Sequence, residues 1–403
     1  MYRYGEFITS DEDKMLLRTI REYVDKEVMP VRMKIDEDRE VYEKCYEGLV
    51  KLGIQKRGFA KRYGGLEIRS TIMIMALTEE IARGDSGLAL NTLIPPWVMA
   101  PAMGARNMTI MDEYMPVLCQ DKPFNCCMAL TEPAGGANIE DEAQHAQTIR
   151  TIAKLEGDEW VINGEKMWSS EASVADLYGV VCTTDPILRE KGVAFIYVPA
   201  DTPGLSFGKP EDKMGMKLSD VNAAIYFDNV RVPKEYRASM EPGVDWQLLL
   251  NALSWGRLAS APMALGNAQA VLEIVMDYTG TRFFSGKSVR CHTLQAAMLA
   301  DMAIGVESAR AYYLHVSAMF NNRARYGLPG DKFLMGKASA AKVYACDVTE
   351  MVCNKAMELM GSYGYVREFH VEKYLRDSKI IQLWEGGPQL ARLDTARSYY
   401  PTE

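Results

Sequence analysis

The hydrophobic period of this chain changes twice, and that limits its possible folds more than any single residue does. From residue 1 to about 125 the apolar residues recur at helical spacing. Met15, Leu16, Ile20, Tyr23, Val24 and Val28 share one helical face until Pro30 ends the run. Further helices are expected near 41–52, 70–83, 86–104 and 107–119, with breaks at Gly84 and at Pro95-Pro96. From about 126 to 240 the texture is strand-like. Residues 147–153 and 159–163 alternate around Glu156-Gly157-Asp158, and Tyr178–Thr183, Val193–Val198 and Ala223–Phe227 read as strands. From about 241 the helical period returns, with long helices expected over 242–280, 292–323, 334–361 and 388–398. Long amphipathic helices with short joins pack as a bundle. The expected organisation is therefore α+β and multidomain: helical over 1–125, β over 126–240 and helical over 241–403.

A length of 403 residues allows a large core. The net charge is −8 with Lys and Arg spread along the chain, so nucleic acid is not an expected partner. No uninterrupted apolar run suggests a membrane span, and the start Met1-Tyr2-Arg3-Tyr4-Gly5-Glu6 lacks the apolar region of a signal peptide. Eight cysteines are scattered without a CxxC pair. That pattern argues against a metal site and points to free thiols in a reducing, cytoplasmic setting.

Three stretches can carry chemistry. Trp384-Glu385-Gly386-Gly387 places a carboxylate between an indole and two glycines. A carboxylate partly desolvated beside an indole becomes a better base near neutral pH, whereas an exposed acid in a turn would do nothing. Leu130-Thr131-Glu132-Pro133-Ala134-Gly135-Gly136 is a Gly-rich entry to the β region whose backbone N–H groups could line a flat heteroaromatic ring. Trp168-Ser169-Ser170 offers an indole and two hydroxyls, a natural wall for such a ring.

The order of these motifs resembles the acyl-CoA dehydrogenases over essentially the whole chain. The Leu-Thr-Glu-Pro loop is followed by Gly164-Glu165-Lys166-Met167-Trp168, Lys213-Met214-Gly215 and Val230-Arg231-Val232-Pro233. Arg257, Met360-Gly361-Ser362-Tyr363-Gly364, Arg376-Asp377 and Trp384-Glu385-Gly386 complete it. The resemblance implies an N-terminal helical domain, a central β-barrel and a C-terminal four-helix bundle. It further implies bound FAD, an acyl-CoA substrate, an electron-transfer flavoprotein as electron acceptor and a homotetramer. Glu385 would remove the α proton of the thioester while the β hydride goes to flavin N5. Its backbone N–H and the flavin ribityl 2′-hydroxyl would hold the thioester oxygen. Some members carry the base just before the arginine matched by Arg257; Leu253-Ser254-Trp255-Gly256 contains no acid.

By the same resemblance Met128, Leu130, Thr131, Gly136, Ala137, Trp168 and Ser170 border the flavin ring. Arg282, Ser285, Glu358, Gly361 and Gly364 meet FAD across a subunit interface, and Gly387 and Gln389 lie near its adenosine half. Leu253, Arg257, Trp384 and Gly386 sit beside the thioester arm. The sequence departs from the common pattern with Ala137 for Ser, Asn138 for Asp, Glu358 for Gln, Trp384 for Tyr and Gly387 for Thr. Asn91 and Thr92 stand among Leu88 to Trp97, the segment that forms the pocket floor in this family. As polar groups beside Pro95-Pro96-Trp97 they suggest a short, branched, alicyclic or aryl-substituted acyl group; alternatively they serve the proline kink. A flavin oxidase, an enoyl-CoA reductase or a non-catalytic FAD-bound assembly factor could use the same fold. The presence of Glu385 speaks against the last.

Overall fold

The computed structural model describes residues 3–136 and 144–400. Side-chain caps start the first helices. Ser10 Oγ accepts the Asp13 N–H at 3.1 Å ahead of α1 (Asp11–Tyr23). Asp38 caps α2 (Arg39–Lys51), Ser70 caps α3 (Thr71–Gly84), Asp85 caps α4 (Ser86–Ala105) and Asn107 caps α5 (Met108–Leu118).

The break expected at Pro95-Pro96 does not occur, and α4 runs through both prolines. Each proline lacks the N–H that would bond the carbonyl four residues earlier. Those carbonyls belong to Asn91 and Thr92, and each finds another donor. The Tyr46 hydroxyl donates to Asn91 O at 3.1 Å, and Arg57 Nη1 donates to Thr92 O at 2.8 Å. Arg57 is buried, and burial pushes its guanidinium down to about 10. The helix therefore continues because side chains from outside it replace the missing bonds.

Seven strands follow: β1 (Cys126–Ala129), β2 (Ile152–Glu156), β3 (Glu159–Ser169), β4 (Leu177–Thr183), β5 (Val193–Pro199), β6 (Leu205–Phe207) and β7 (Ala223–Pro233). They form one curled sheet in the order β1-β4-β2-β3-β7-β6, with β5 on β4. The turn at Gly157 joins β2 and β3 in antiparallel register, Glu156 opposite Glu159. The inner face buries Trp160, Ile162, Val180, Ile196 and Phe227 in a core separate from that of the helices. The β3–β7 register shifts between Lys166 and Ser169, at the Trp168 position.

The C-terminal part begins with α6 (Val244–Thr281) and the small hairpin β8 (Phe283–Phe284) and β9 (Lys287–Ser288). It continues through α7 (Thr293–Asn321), α8 (Arg323–Tyr326), α9 (Lys332–Met360), α10 (Ser362–Tyr365), α11 (Val371–Leu383) and α12 (Gly387–Arg397). Helix α11 was not among the expected long helices. Helix α6 is long and apolar enough to cross a membrane, but 83% of its most apolar window is buried inside the protein. It packs against α3, α4, α7, α9 and α11, which makes it the shared wall of both helical regions.

Buried ion pairs tie those regions together. Arg310 of α7 grips Glu79 of α3 through Nε at 3.0 Å and Nη2 at 2.6 Å. Lys373 of α11 bonds Asp85 at 2.7 Å and also Asp377. Tyr46→Phe leaves the Asn91 carbonyl without its donor. Chemical denaturation should show a loss of about 1–3 kcal/mol; an unchanged midpoint would mean the bond adds nothing to the proline-bearing helix.

Candidate active site

Glu385 lies in the three-residue link between α11 and α12. Its backbone is left-handed, with φ 54°, and Gly386 and Gly387 follow at 86° and 73°. The glycines adopt that geometry freely, whereas Glu385 bears a strain of about 1–2 kcal/mol. The preceding residue holds the strained link in place. Trp384 Nε1 donates to Ser260 Oγ of α6 at 2.8 Å. Trp384 O accepts from Gly387 N at 3.0 Å and from the Lys342 ammonium of α9.

The Glu385 side chain is directed at α6. A Cβ placed on Gly256 would lie 2.7 Å from Glu385 Oε1 and 3.1 Å from Trp97 Cζ2. The missing side chain at Gly256 thus lets the carboxylate and the Trp97 ring edge meet the helix at one point. Glu385 Oε2 is shielded from solvent and has no hydrogen-bond partner among the described residues. Burial pushes the carboxyl up to about 7, against the pull of Lys342 and then Arg257. Burial also pushes the Lys342 ammonium down to about 8, against the pull of Glu385. Arg257 is buried and engaged elsewhere, donating to Ser339 Oγ at 3.1 Å and to the Asp394 carboxylate.

A cavity of about 680 Å³ joins this point to the curled sheet. Leu90, Leu93, Ile94 and Trp97 of α4 line it, with Leu253, Trp255, Gly256, Arg257 and Met263 of α6, Trp384, Glu385 and Gly386 of the link and Leu390 of α12. Met128, Leu130, Thr131, Gly136, Trp168, Ser169 and Ser170 close the sheet side. Asp220 and Asn222 join them there.

The sheet-side wall suits a flat aromatic ring. Trp168 lines the cavity yet is 53% exposed, on a left-handed backbone with φ 62°. A Cβ on Gly136 would meet none of the described residues within 4 Å, so among them there is open space beside that backbone. An uncovered indole, adjacent hydroxyls and open backbone fit an isoalloxazine. The wall is fixed by a pair that sequence reading passed over. Lys166 Nζ donates to Glu132 Oε1 at 2.7 Å and to Leu130 O at 2.9 Å; Glu132 also takes the Arg150 and Thr151 N–H groups. Glu132 and Lys166 each belong to one of the two sheet motifs, and both are buried.

Several expected residues lie elsewhere. Asn91 and Thr92 do not line the cavity. Asn91 Nδ2 donates to Tyr42 OH at 2.6 Å and Ser219 O at 3.0 Å, and Thr92 Oγ1 donates to Ala89 O at 2.8 Å. They are buried on the side of α4 turned away from the cavity, while Leu90, Leu93 and Ile94 line it. Neither side chain serves the prolines either: the carbonyls that Pro95 and Pro96 leave free are met by Tyr46 and Arg57. Ala137 lies outside the described residues. Gly387 and Gln389 begin α12 without lining the cavity. Arg282, Ser285, Glu358, Gly361 and Gly364 lie away from it. The Arg282 guanidinium stacks 5.5 Å from the Tyr363 ring centroid, next to the exposed Phe283 and Phe284.

Lys342, Ser260, Gly256 and Trp97 are site residues that the motifs did not reveal. Lys342 carried a readable signal: it shares a helical face with the buried Ala338 and Ala345, where a charge needs a partner.

A helical domain, a curled sheet and a bundle that share an apolar cavity with a buried carboxylate define a flavoprotein oxidoreductase. Residues 10–120, 127–230 and 246–400 match the N-terminal, middle and C-terminal domains of acyl-CoA dehydrogenase. A cyclohex-1-ene-1-carbonyl-CoA dehydrogenase of Geobacter metallireducens is 30% identical over 96% of this chain and 98% of its own. The human mitochondrial short-chain specific acyl-CoA dehydrogenase is 30% identical over 96% and 90%. Butyryl-CoA dehydrogenase from Megasphaera elsdenii superposes with a TM-score of 0.87 at 27% identity, covering 98% of this chain and 99% of that one. The chain belongs to the acyl-CoA dehydrogenase family.

Lys166→Met would leave the Glu132 carboxylate buried without its cation. Removing one partner of such a pair costs about 3–5 kcal/mol. Thermal melting should show that loss together with release of flavin; a stable variant that keeps its flavin would show that the pair does not fix the wall.

Proposed function

We propose that this protein oxidises the α–β bond of an alicyclic acyl-CoA thioester, with FAD as its flavin and Glu385 as its base. The observation that carries this reading is that Glu385, with one solvent-shielded and unpartnered oxygen, lines the same apolar cavity as the Trp168 wall. An α C–H beside a thioester is too weak an acid to ionise unaided at neutral pH. A base of pKa near 7 in a dry site is matched to that proton. Glu385 takes the α proton, and its backbone N–H holds the thioester oxygen as enolate charge develops. Bound FAD supplies the acceptor for the β hydride, so two electrons leave the substrate and a double bond forms.

Met128, Leu130, Thr131, Gly136, Ala137, Trp168 and Ser170 would hold the ring. Arg282, Ser285, Glu358, Gly361 and Gly364 would serve the FAD of a neighbouring copy in a homotetramer, and Gly387 and Gln389 its adenosine half. Leu253, Arg257, Trp384 and Gly386 would flank the thioester. Domains of 1–125, 126–240 and 241–403, a cytoplasmic setting and an electron-transfer flavoprotein as acceptor complete the reading. Seven of the eight free thiols are buried, which suits a reducing compartment.

The ring preference rests on Trp97. Its edge adjoins Glu385 at Gly256, and its Nε1 is pinned to Ala252 O at 2.6 Å. An extended chain leaving the base meets this wall at once, whereas a compact ring packs against it. A relative named for a cyclohexene thioester agrees with that shape.

Glu385→Gln should lower the rate of flavin reduction by about 10²–10⁴-fold while acyl-CoA binding persists. For the wild type, log kcat/KM should fall with unit slope as pH drops below about 7, because the base must be ionised to accept a proton. Normal turnover in Glu385→Gln would remove the base assignment. Trp97→Leu should raise kcat/KM for eight-carbon straight chains relative to cyclohexane-type thioesters. An unchanged ratio would free Trp97 of any role in selection.

A further inference from the structure

We propose that Lys342 is a positioning residue for Glu385, clamping the carbonyl before the base and setting an ammonium one peptide away from it. The inference rests on the reading of Glu385 as the base. Three observations support it.

The first is where the charge sits. Lys342 is 1% exposed, in the middle of α9, on a face otherwise built from small residues. Burying an ammonium is costly unless hydrogen bonds and an opposite charge offset it. Lys342 meets the Trp384 carbonyl, one peptide from Glu385, and Glu385 is the foremost charge acting on it.

The second is how the other charges are engaged. Glu385 faces Lys342 from α9 and Arg257 from α6. Arg257 is held by Ser339 and by the Asp394 carboxylate of α12, which offsets its charge. On the remaining sides the base meets the uncharged Trp97 and Gly256. Cys346, one turn along α9, is a buried thiol whose ionisation burial pushes up to about 12, so it stays neutral. Lys342 is therefore the stronger of the two cationic influences on the carboxylate, ahead of the partly offset Arg257.

The third is the strain. Glu385 keeps a left-handed backbone that a glutamate adopts at a cost. The Lys342 bond fixes the orientation of the peptide that enters it. One side chain thus does two things: it orients the base, and it limits how far burial can raise the base's proton affinity. Without it the carboxylate would hold its proton above neutral pH and fail to accept another.

The test is the pH profile of flavin reduction under anaerobic single-turnover conditions. Lys342→Gln retains a donor for Trp384 O but not the charge. Its acid limb should move up by about one pH unit, giving roughly a fivefold loss at pH 7 that vanishes near pH 9. Lys342→Arg keeps the charge and should bring the limb back toward the wild-type position. A role in packing alone would lower the melting temperature and scale the whole profile without moving the limb. A Lys342→Gln profile superimposable on the wild type overturns the inference. If neutral variants do not fold, the coupling can be read from the other side. In Glu385→Gln, ¹⁵N NMR of lysine should show Lys342 losing its proton at lower pH than in the wild type, because the stabilising anion is gone. An unchanged titration there also overturns the inference. The two readings fail separately. Turnover in Glu385→Gln removes the base, whereas an inactive Glu385→Gln with an unshifted Lys342→Gln removes only the role of Lys342.

Discussion

Desolvation of one carboxylate is the constraint on which the rest of this structure depends. Glu385 must be dry enough to have a proton affinity near neutral pH and still able to ionise. No single element can create that setting. Helix α6 supplies a notch at Gly256, α4 supplies the Trp97 edge, and α9 supplies the Lys342 cation. The link between α11 and α12 then has to hold a left-handed glutamate in register with all three. Helix α6, 83% buried over its most apolar window, carries both the Gly256 notch and Leu253, Trp255, Arg257 and Met263 of the cavity wall.

Much of what identifies the chain in sequence secures this frame. Lys166 and Glu132 bind the two sheet motifs to each other beneath the ring wall. Lys213 bonds Asp220 at 2.8 Å and Asn222 at 2.6 Å on the rim of the cavity. Arg376 donates to Met214 O at 2.7 Å, and Asp377 pairs with Lys373, which reaches Asp85 at the start of α4. A Cβ on Gly215 would come within 2.6 Å of Asp377 Oδ1, so the loop can approach α11 only as glycine. These charged residues are bonded inside the protein or at its seams. They act on the chemistry by fixing where the walls stand.

The period of the apolar residues was enough to read a helical, then β, then helical chain, because each pattern follows directly from which face is buried. Glu385 stands out in the sequence because an indole and two glycines are unusual neighbours for an idle acid, and the fold brings it to the cavity wall. What the sequence obscured was any feature decided by contacts across elements. Prolines at 95 and 96 look like a helix break, and only the distant Tyr46 and Arg57 make them tolerable. Asn91 and Thr92 look like pocket residues because the helical phase that turns them away from the cavity, into the protein, is set by that same unbroken helix. Gly256 and Lys342 carry no motif at all. Their meaning lies in being opposite Glu385, 129 and 43 residues away in sequence respectively.

The measurement that tests this account most directly is anaerobic titration of the flavin absorbance with a panel of acyl-CoA thioesters. Cyclohexane-type and short branched thioesters are predicted to bleach the flavin within a turnover. Long straight chains should do so slowly, and Glu385→Gln should remain yellow with every thioester. A flavin that none of the thioesters reduces, or one that Glu385→Gln reduces at the wild-type rate, would contradict it.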